Sequence, residues 1–276
     1  MYEDKRKLQL VELKLLKNFI EICEKNDIRY YALGGTLLGA VRHKGFIPWD
    51  DDIDIGVPRE DYDRLLKLYE NESKNEIDLH SYKNDPNHYR FFSQIEDSSI
   101  KVNRTDKLER ETSSAWIDIF PLDGMPNGKI LRKIWKYYIL YLRAMYRYSC
   151  FNIGVNVNKK NRPLHESLLI KLGVLFNFQE KLDVKKRLGI LEKALKKYPY
   201  KDSQYLVNAM GAYKFKEMFH KKYYGDGEKY LFEDIKIWGP IDYDYVCRQL
   251  YGDYMKLPPE NERNHHESEV ILDDLD

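Results

Sequence analysis

Cysteine is scarce in this chain, and its few thiols lie far apart. The 276 residues include three cysteines, Cys23, Cys150 and Cys247, and none of them forms a CxxC pair. An odd and scattered set of this kind provides neither a disulfide framework nor a zinc knuckle. The cysteine content therefore predicts a protein of a reducing compartment and argues against a thiolate metal centre.

The sequence also has no long apolar run and very little net charge. No stretch approaches the ~18–20 apolar residues that a membrane span needs, and residues 1–7 are charged, unlike a signal peptide. The net charge is +1, so the molecule as a whole lacks the charge signature of a nucleic-acid-binding protein. We therefore expect a cytoplasmic protein, peripheral at most at the inner face of a membrane, whose attraction to phosphate is local.

The hydrophobic pattern changes character near residue 128. Before this point, amphipathic helices alternate with short apolar strands, whereas the following segment is mainly helical. This pattern predicts an α+β protein with a mixed β-sheet core flanked by helices and a mainly helical second half. We expect a catalytic core at 1–128, a helical insertion or lobe at 129–229, and a C-terminal segment at 230–276 that packs back on the core.

The segment Trp49-Asp50-Asp51-Asp52-Ile53-Asp54 concentrates acidic residues at a predicted strand. Side chains two residues apart share a face, so Asp52 and Asp54, and Asp50 if the strand reaches back, point the same way. Crowded carboxylates repel one another unless a cation lies between them, and oxygen ligands suit Mg²⁺ or Mn²⁺. A solvated acidic turn is the alternative, which the alternating isoleucines disfavour.

Residues around this segment suit a phosphate-containing ligand. Gly34 and Gly35 lie at a predicted strand-to-helix turn, which permits close backbone approach and offers free helix N–H groups, and Thr36 is placed to cap that helix. Asp118 lies amid apolar residues, either as a metal ligand or as a paired buried charge. Three cationic residues, which reach donor phosphates or only coat a solvated surface, follow the turn: Arg42, His43 and Lys44.

Together these residues resemble two related patterns. A Gly-Gly turn, an Asp-x-Asp strand and a lone aspartate on a third strand are similar to the polymerase-beta-type nucleotidyltransferase fold. Residues 35–54 resemble the hallmark of the LicD family of phosphocholine transferases nearly residue for residue. Residues 118–124 resemble the second block of that family, and residues 251–255, with the prolines and histidines that follow, resemble its C-terminal block.

This resemblance implies a metal-dependent transferase. The expected reaction moves phosphocholine from CDP-choline to a sugar hydroxyl of a cell-surface glycan, such as a teichoic acid, or of its lipid-linked precursor, and releases CMP. The implied ligands of Mg²⁺ or Mn²⁺ are Asp50, Asp52, Asp54 and Asp118, the last three being catalytic. The implied donor-binding residues are Gly34, Gly35, Thr36, Arg42, His43, Lys44 and Trp49. The implied further substrate contacts are Tyr251, His265 and His266.

The identity of the donor stays open at this point. The resemblance also fits transfer of ribitol or glycerol phosphate from its CDP form, and the Asp-x-Asp core alone permits transfer of a nucleoside monophosphate from an NTP. A catalytically silent metal- or glycan-binding protein is a further alternative, which the intact acids at 52, 54 and 118 disfavour. If choline is the alcohol, its quaternary ammonium should rest on an aromatic face. The candidates are Tyr30, Tyr31, Trp49, Trp116 and Tyr251.

The predicted helix after residue 128 is rich in basic and aromatic residues. Its basic residues recur at helical spacing: Lys129, Arg132, Lys133, Lys136, Arg143 and Arg147. Aromatic and aliphatic residues such as Ile134 and Tyr141 lie among them. The sequence favours a helix packed on the core with its lysines in water. The alternative is a helix that rests on an anionic membrane surface.

Overall fold

Helices and strands alternate through the first half of the structure, a computed structural model that describes residues 2–71, 76–104, 111–150, 182–260, 263 and 268–271. The helices are α1 (Tyr2–Lys25), α2 (Gly34–Arg42), α3 (Arg59–Asn71), α4 (Lys129–Ser149), α5 (Val184–Leu195) and α6 (Tyr243–Tyr251). The strands are β1 (Tyr31–Ala32), β2 (Asp54–Pro58), β3 (Ile77–His80), β4 (Ser93–Arg104), β5 (Glu111–Met125), β6 (Tyr205–Val207), β7 (Met218–His220), β8 (Glu228–Phe232), β9 (Ile235–Gly239) and β10 (Ser268–Ile271).

One mixed sheet lies at the centre of the fold. Within the described residues it has eight strands, with the order β1-β2-β5-β4-β10, while β3 pairs with β4, and β6 joins β5 to β7. Strands β2 and β5 are parallel, and the other pairs are antiparallel. Strands β8 and β9 form a separate hairpin. The predicted α+β fold with a mixed sheet core is therefore confirmed, and the second half of the chain adds strands to that sheet.

The core forms where the apolar stripe of α1 meets the sheet. Leu8, Leu15, Phe19 and Cys23 recur at seven- and four-residue steps along α1, which places them on one face of the helix, and each is at most 1% exposed. The isoleucines that flank the acidic positions of β2 and β5 are fully buried: Ile53, Ile55, Ile117 and Ile119. Because side chains alternate along a strand, this burial turns the intervening aspartates to the opposite face.

Two expectations about the chain as a whole can be compared with the described residues. The three cysteines are free and buried, in agreement with the absence of a disulfide framework. In the part of the chain that the structure covers, no helix is long and apolar enough to cross a bilayer. The division at residues 128 and 229 stays a prediction, and residues 151–181 lie outside the described part.

Candidate active site

Asp54 and Asp118 lie side by side on neighbouring parallel strands. The register of β2 and β5 pairs these two residues directly, and adjacent strands are ~4.8 Å apart. The backbone fixes both positions, because the Asp118 N–H donates to the Ile53 carbonyl at 2.8 Å and the Asp54 N–H donates to the Thr36 hydroxyl at 2.9 Å. The sheet therefore brings together two of the three acids that the family resemblance implies as catalytic.

Thr36 has a different local role from the predicted one. Helix α2 begins at Gly34, its N-cap is Leu33, and no side chain caps it. The Thr36 hydroxyl is buried and accepts the hydrogen bond from Asp54 instead. The expected helix cap was thus wrong, because the competing backbone N–H lies on β2 rather than on the helix. The observed contact makes Thr36 a positioning residue for Asp54.

The glycine turn fits tightly against the carboxylates. Gly34 has a φ of +48°, which favours glycine, and a Cβ built there would lie 3.1 Å from Asp54 Oδ2. A Cβ at Gly35 would collide with Asp50 Oδ2. The two glycines therefore allow the backbone at the start of α2 to touch the acids. This first helical turn also carries free N–H groups and the positive end of the helix dipole.

Burial and mutual repulsion shape the charge state of the acidic cluster. The pKa of Asp54 is raised well above its usual range, chiefly by burial and then by the charges of Asp52 and Asp118. The pKa of Asp50 is raised by burial, by the charges of Asp52 and Asp51, and by a hydrogen bond shared with Asp52. Asp50 and Asp52 are therefore close to each other and to the pair on the sheet.

Glu12 is a further acid in this cluster that sequence patterning missed. It lies on α1, its side chain is 0% exposed, and neither carboxylate oxygen has a hydrogen-bond partner. Burial, followed by the charges of Asp52, Asp51, Asp50 and Asp118, raises its pKa well above the usual range. The available signal was its position one turn after Leu8, on the face of α1 that packs into the core.

Helix α1 also holds the segment that carries the aspartates. The Lys5 ammonium donates to the Trp49 carbonyl at 3.1 Å, and the Gln9 amide donates to the Asp50 carbonyl at 2.8 Å. Lys5 and Gln9 are 6% and 3% exposed. Because Lys5, Gln9 and Glu12 lie at helical spacing, one face of α1 meets the acidic segment over two turns.

The expected cationic residues separate into two groups. Arg42 donates through Nη1 to the Tyr254 carbonyl at 2.6 Å and through Nε to His43 Nε2 at 2.9 Å, and its guanidinium lies over the Trp49 ring at 5.9 Å. Burial, and then the neighbouring Arg42, lower the pKa of His43. Lys44 is exposed and donates to the Val41 carbonyl at 3.1 Å. The structure thus brings together Arg42, His43 and Trp49, and Lys44 is not part of their contacts.

Tyr251, which the resemblance implies as a further substrate contact, lies beside the acids. Its hydroxyl would lie 3.8 Å from a Cβ at Gly34, and its pKa is raised by burial and then by Tyr213 and Asp54. Tyr213, which sequence patterning missed, meets Tyr251 edge to face with ring centroids 5.6 Å apart. His265 and His266 lie outside the described residues.

The other aromatic candidates are less suited to a cationic ligand. Tyr30, Tyr31 and Trp116 are at most 6% exposed and are packed in the core. The ring of Trp49 already has two guanidinium groups near it, those of Arg42 at 5.9 Å and Arg263 at 5.0 Å. Among these candidates, Tyr251 is the one whose hydroxyl lies against the glycine turn and whose pKa responds to the charge of Asp54.

Glu217, from the second half of the sequence, also acts on the acidic cluster. It closes a short 3₁₀ turn (Lys214–Glu217), is 9% exposed, and accepts a hydrogen bond from the Tyr213 N–H at 2.9 Å. Burial raises the pKa of Glu217 to about 7 despite hydrogen bonds that lower it. Its charge in turn raises the pKa of Asp54. No local sequence pattern distinguishes Glu217 from a surface glutamate, so only the tertiary fold reveals it.

The donor set suits a hard divalent cation, although no closed ligand cage is present. Across the described ranges, no three or more His, Cys, Asp or Glu side chains have the geometry of a metal site. The buried oxygens of Glu12 and Oδ2 of Asp51 nevertheless have no hydrogen-bond partner, and the neighbouring aspartates repel one another. Clustered, unsatisfied carboxylate oxygens of this kind fit Mg²⁺ or Mn²⁺.

The mixed sheet pairs carboxylates on two parallel strands, and these carboxylates lie beside a glycine turn at a helix N-terminus. This arrangement defines a nucleotidyltransferase-like core. The family model described as LicD/FKTN/FKRP, nucleotidyltransferase domain, matches residues 27–147. The chain is 32% identical over 279 residues to the lipopolysaccharide cholinephosphotransferase LicD of Haemophilus influenzae, with 97% of each chain covered. It is 39% identical over 59 residues to the ribitol 5-phosphate transferase FKRP of Homo sapiens and of Mus musculus, with 21% of this chain and 12% of FKRP covered. The chain belongs to the LicD family, and it is a transferase.

Proposed function

We propose that this protein transfers phosphocholine from CDP-choline to a sugar hydroxyl of a cell-surface glycan or of its lipid-linked precursor. The observation that carries the proposal is the direct pairing of Asp54 with Asp118 beside the Gly34-Gly35 turn. Similarity along 97% of both chains to a lipopolysaccharide cholinephosphotransferase supports the choice of group and acceptor class.

In this reaction the acceptor hydroxyl oxygen attacks the phosphorus that bears choline. A new P–O bond forms, the bond to the phosphate of CMP breaks, CMP leaves, and the hydroxyl proton passes to a base. Mg²⁺ or Mn²⁺, bound by Asp50, Asp52, Asp54 and Asp118, would neutralise the diphosphate charge. Asp118 would also accept the proton. The Gln94 amide donates a hydrogen bond to Asp118 Oδ1 at 2.7 Å.

The remaining groups of the site would position the donor. Backbone N–H groups at the start of α2 would bind phosphate oxygens, since Gly34 and Gly35 leave room for close approach. Arg42 and His43 would contact the donor near the diphosphate, next to Trp49. Tyr251 would offer its ring to the quaternary ammonium. Each of these roles puts a charge or an aromatic face of this chain opposite a complementary group of CDP-choline.

A second candidate function is transfer of ribitol phosphate from CDP-ribitol. The 39% identity to the ribitol 5-phosphate transferase FKRP favours it, although the matched stretch is 59 residues. Ribitol is an uncharged polyol, so a ribitol-specific enzyme would gain little from an aromatic ring beside its alcohol site. Replacement of Tyr251 by Leu therefore separates the two donors: we expect it to impair use of CDP-choline far more than use of CDP-ribitol.

The proposal is tested by offering the purified protein CDP-choline, CDP-ribitol, CDP-glycerol or NTPs, each with Mg²⁺ and a glycan acceptor. We expect CMP release from CDP-choline and loss of that release when EDTA removes the cation. Pyrophosphate release from an NTP, without CMP from any CDP-alcohol, would replace the proposal by nucleotidyl transfer. If CMP release is fastest from CDP-ribitol or CDP-glycerol, the donor alcohol is ribitol or glycerol rather than choline.

Two substitutions connect this activity to the acidic cluster. Asp52→Asn or Asp54→Asn should abolish turnover while the melting temperature stays close to that of the wild type. Asp226→Asn serves as a matched control, since Asp226 is 94% exposed and forms a surface ion pair with Arg29, and it should leave turnover unchanged. Near-normal activity of both site variants would contradict the proposed role of these carboxylates as catalytic metal ligands.

A further inference from the structure

Helix α4 presents an apolar stripe to the outside of the protein. Ile130, Ile134, Tyr137 and Tyr141 are 79%, 59%, 59% and 57% exposed. Their spacing of four, three and four residues places them in one line along the helix. We call these four residues the outer stripe. Single exposed apolar residues are ordinary, but four of them in a line form a surface that a monomeric protein in water rarely keeps.

The opposite face of α4 is anchored in the protein. Ile139, Leu142 and Tyr146 are at most 7% exposed, and they pack in an apolar cluster with Leu188 and Leu191 of α5. The helix therefore has a folded partner on its inner side. The outer stripe is an additional apolar surface, since the inner face already accounts for the attachment of α4 to the protein.

The charge of α4 indicates what the outer stripe contacts. The helix contains six basic residues and no aspartate or glutamate. Lys129, Lys133 and Arg147 are exposed along one flank of the stripe. A second copy of this chain that docked on the same face would bring two strongly basic helices together. An anionic surface, in contrast, would complement this charge along the whole helix.

We propose that the outer stripe lies in the headgroup region of an anionic lipid bilayer, with α4 parallel to the membrane. Aliphatic side chains would enter the boundary of the acyl chains, tyrosines would sit at headgroup level, and the flanking lysines would contact lipid phosphates. This arrangement needs no membrane-spanning helix. It also departs from the interpretation that the sequence favours, in which only the lysines of α4 face water.

The inner face of α4 connects this surface to the candidate active site. Arg143 donates hydrogen bonds to the carbonyls of Ala209 and Gly211, in the loop that leads to Tyr213 and Glu217. Glu217 in turn acts on Asp54 electrostatically. A bilayer on the outer stripe would therefore lie one helix and one loop away from the acids. Delivery of a lipid-linked acceptor by this route rests on the proposed function. The membrane contact itself does not depend on that function.

The test is co-sedimentation of the full-length protein with vesicles. We expect binding to vesicles that contain phosphatidylglycerol, weaker binding at high salt because salt screens the lysines, and little binding to pure phosphatidylcholine. Replacing Lys129 and Lys133 with Gln should weaken binding roughly fivefold for each cation removed. Replacing Ile134 and Tyr137 with Ser should abolish it. Because all four side chains are exposed, these variants should keep the melting temperature of the wild type.

A control variant elsewhere on the surface has the same chemistry. Leu257 is 45% exposed and lies next to the exposed Lys256, so Leu257→Ser with Lys256→Gln should bind vesicles like the wild type. Equal binding by all variants, or no binding to anionic vesicles, would overturn the proposal. A dimer that dissociates when Ile134 and Tyr137 are replaced would overturn it in favour of an interface between copies. CMP release with a soluble acceptor should be retained by the α4 variants, so a failure of the membrane contact is distinguishable from a failure of the proposed function.

Discussion

Replacing Glu12 with methionine should stabilise the protein in the absence of divalent cations. Glu12 is fully buried, and neither of its carboxylate oxygens has a hydrogen-bond partner. A buried polar group without a partner costs about 1–3 kcal/mol. Methionine has a similar length, carries no charge, and would meet the apolar side chains of Leu8 and Leu15 along α1. We therefore expect Glu12→Met to raise the free energy of unfolding by about 1–3 kcal/mol.

The measurement is urea unfolding with EDTA present, compared between the wild type, Glu12→Met and Glu12→Gln. The Gln variant removes the charge but keeps a polar group, so its gain should be the smaller of the two. Glu21→Met is a matched control, because Glu21 is exposed on the same helix and should change stability by less than about 0.5 kcal/mol. A loss of more than about 1 kcal/mol in Glu12→Met would refute the view that Glu12 is an unsatisfied buried acid.

Glu12 should also affect the response to Mg²⁺. If the clustered acids bind the cation, Mg²⁺ stabilises the folded protein by mass action. We expect the Mg²⁺-induced rise in melting temperature to be smaller in Glu12→Met than in the wild type, together with lower turnover. Such a variant would be more stable and less active, which is typical of a group kept for function rather than for stability. An unchanged Mg²⁺ response would show that Glu12 acts on stability alone.

Three further predictions follow from other groups in the structure. The pKa of Glu217 is raised to about 7, so its contribution to stability is present below about pH 4.5 and is lost as the pH rises through 7. The free energy of unfolding in urea should therefore be up to about 3 kcal/mol lower at about pH 8 than at about pH 5. Glu217→Gln should remove this part of the pH dependence. Arg59 donates two hydrogen bonds to Asp123, at 2.6 Å and 2.9 Å, and Arg59→Met would leave Asp123 buried without this partner. Urea unfolding should then show a loss of about 3–5 kcal/mol in the free energy of unfolding, and the double variant Arg59→Met with Asp123→Leu should largely restore it. Gly35→Ala should displace Asp50 and abolish CMP release in a folded protein, and wild-type turnover would contradict the tight packing at this turn.

The sequence was most informative where local geometry determines the answer. Alternation of isoleucine with aspartate predicted that Asp54 would leave the core side of its strand, and the structure confirms the burial of Ile53 and Ile55. The length and specificity of the motif at 35–54 identified the family correctly. Strand register could not be read in this way, because the pairing of Asp54 with Asp118 depends on how two distant segments align.

The sequence was least informative where the site depends on distant contacts. Glu12 was hidden within an amphipathic helix, and it became part of the acidic cluster only through the packing of α1 against the sheet. Tyr213 and Glu217 reach the aspartates from a loop more than 150 residues further along the chain. Thr36 was assigned to its own helix because capping is a local preference, but a backbone N–H on β2 took the hydroxyl instead.

The contacts of α1 with residues 49 and 50 bear on how fragments of this protein would behave. The segment that matches the family model begins at residue 27, after α1 has ended. A fragment trimmed to that boundary would lose Lys5 and Gln9, whose hydrogen bonds hold the carbonyls of Trp49 and Asp50. It would keep the signature aspartates, but it would expose the apolar surface of the sheet against which Leu15 and Phe19 pack. Inactivity or aggregation of such a fragment would therefore reflect the loss of α1 rather than the loss of catalytic groups.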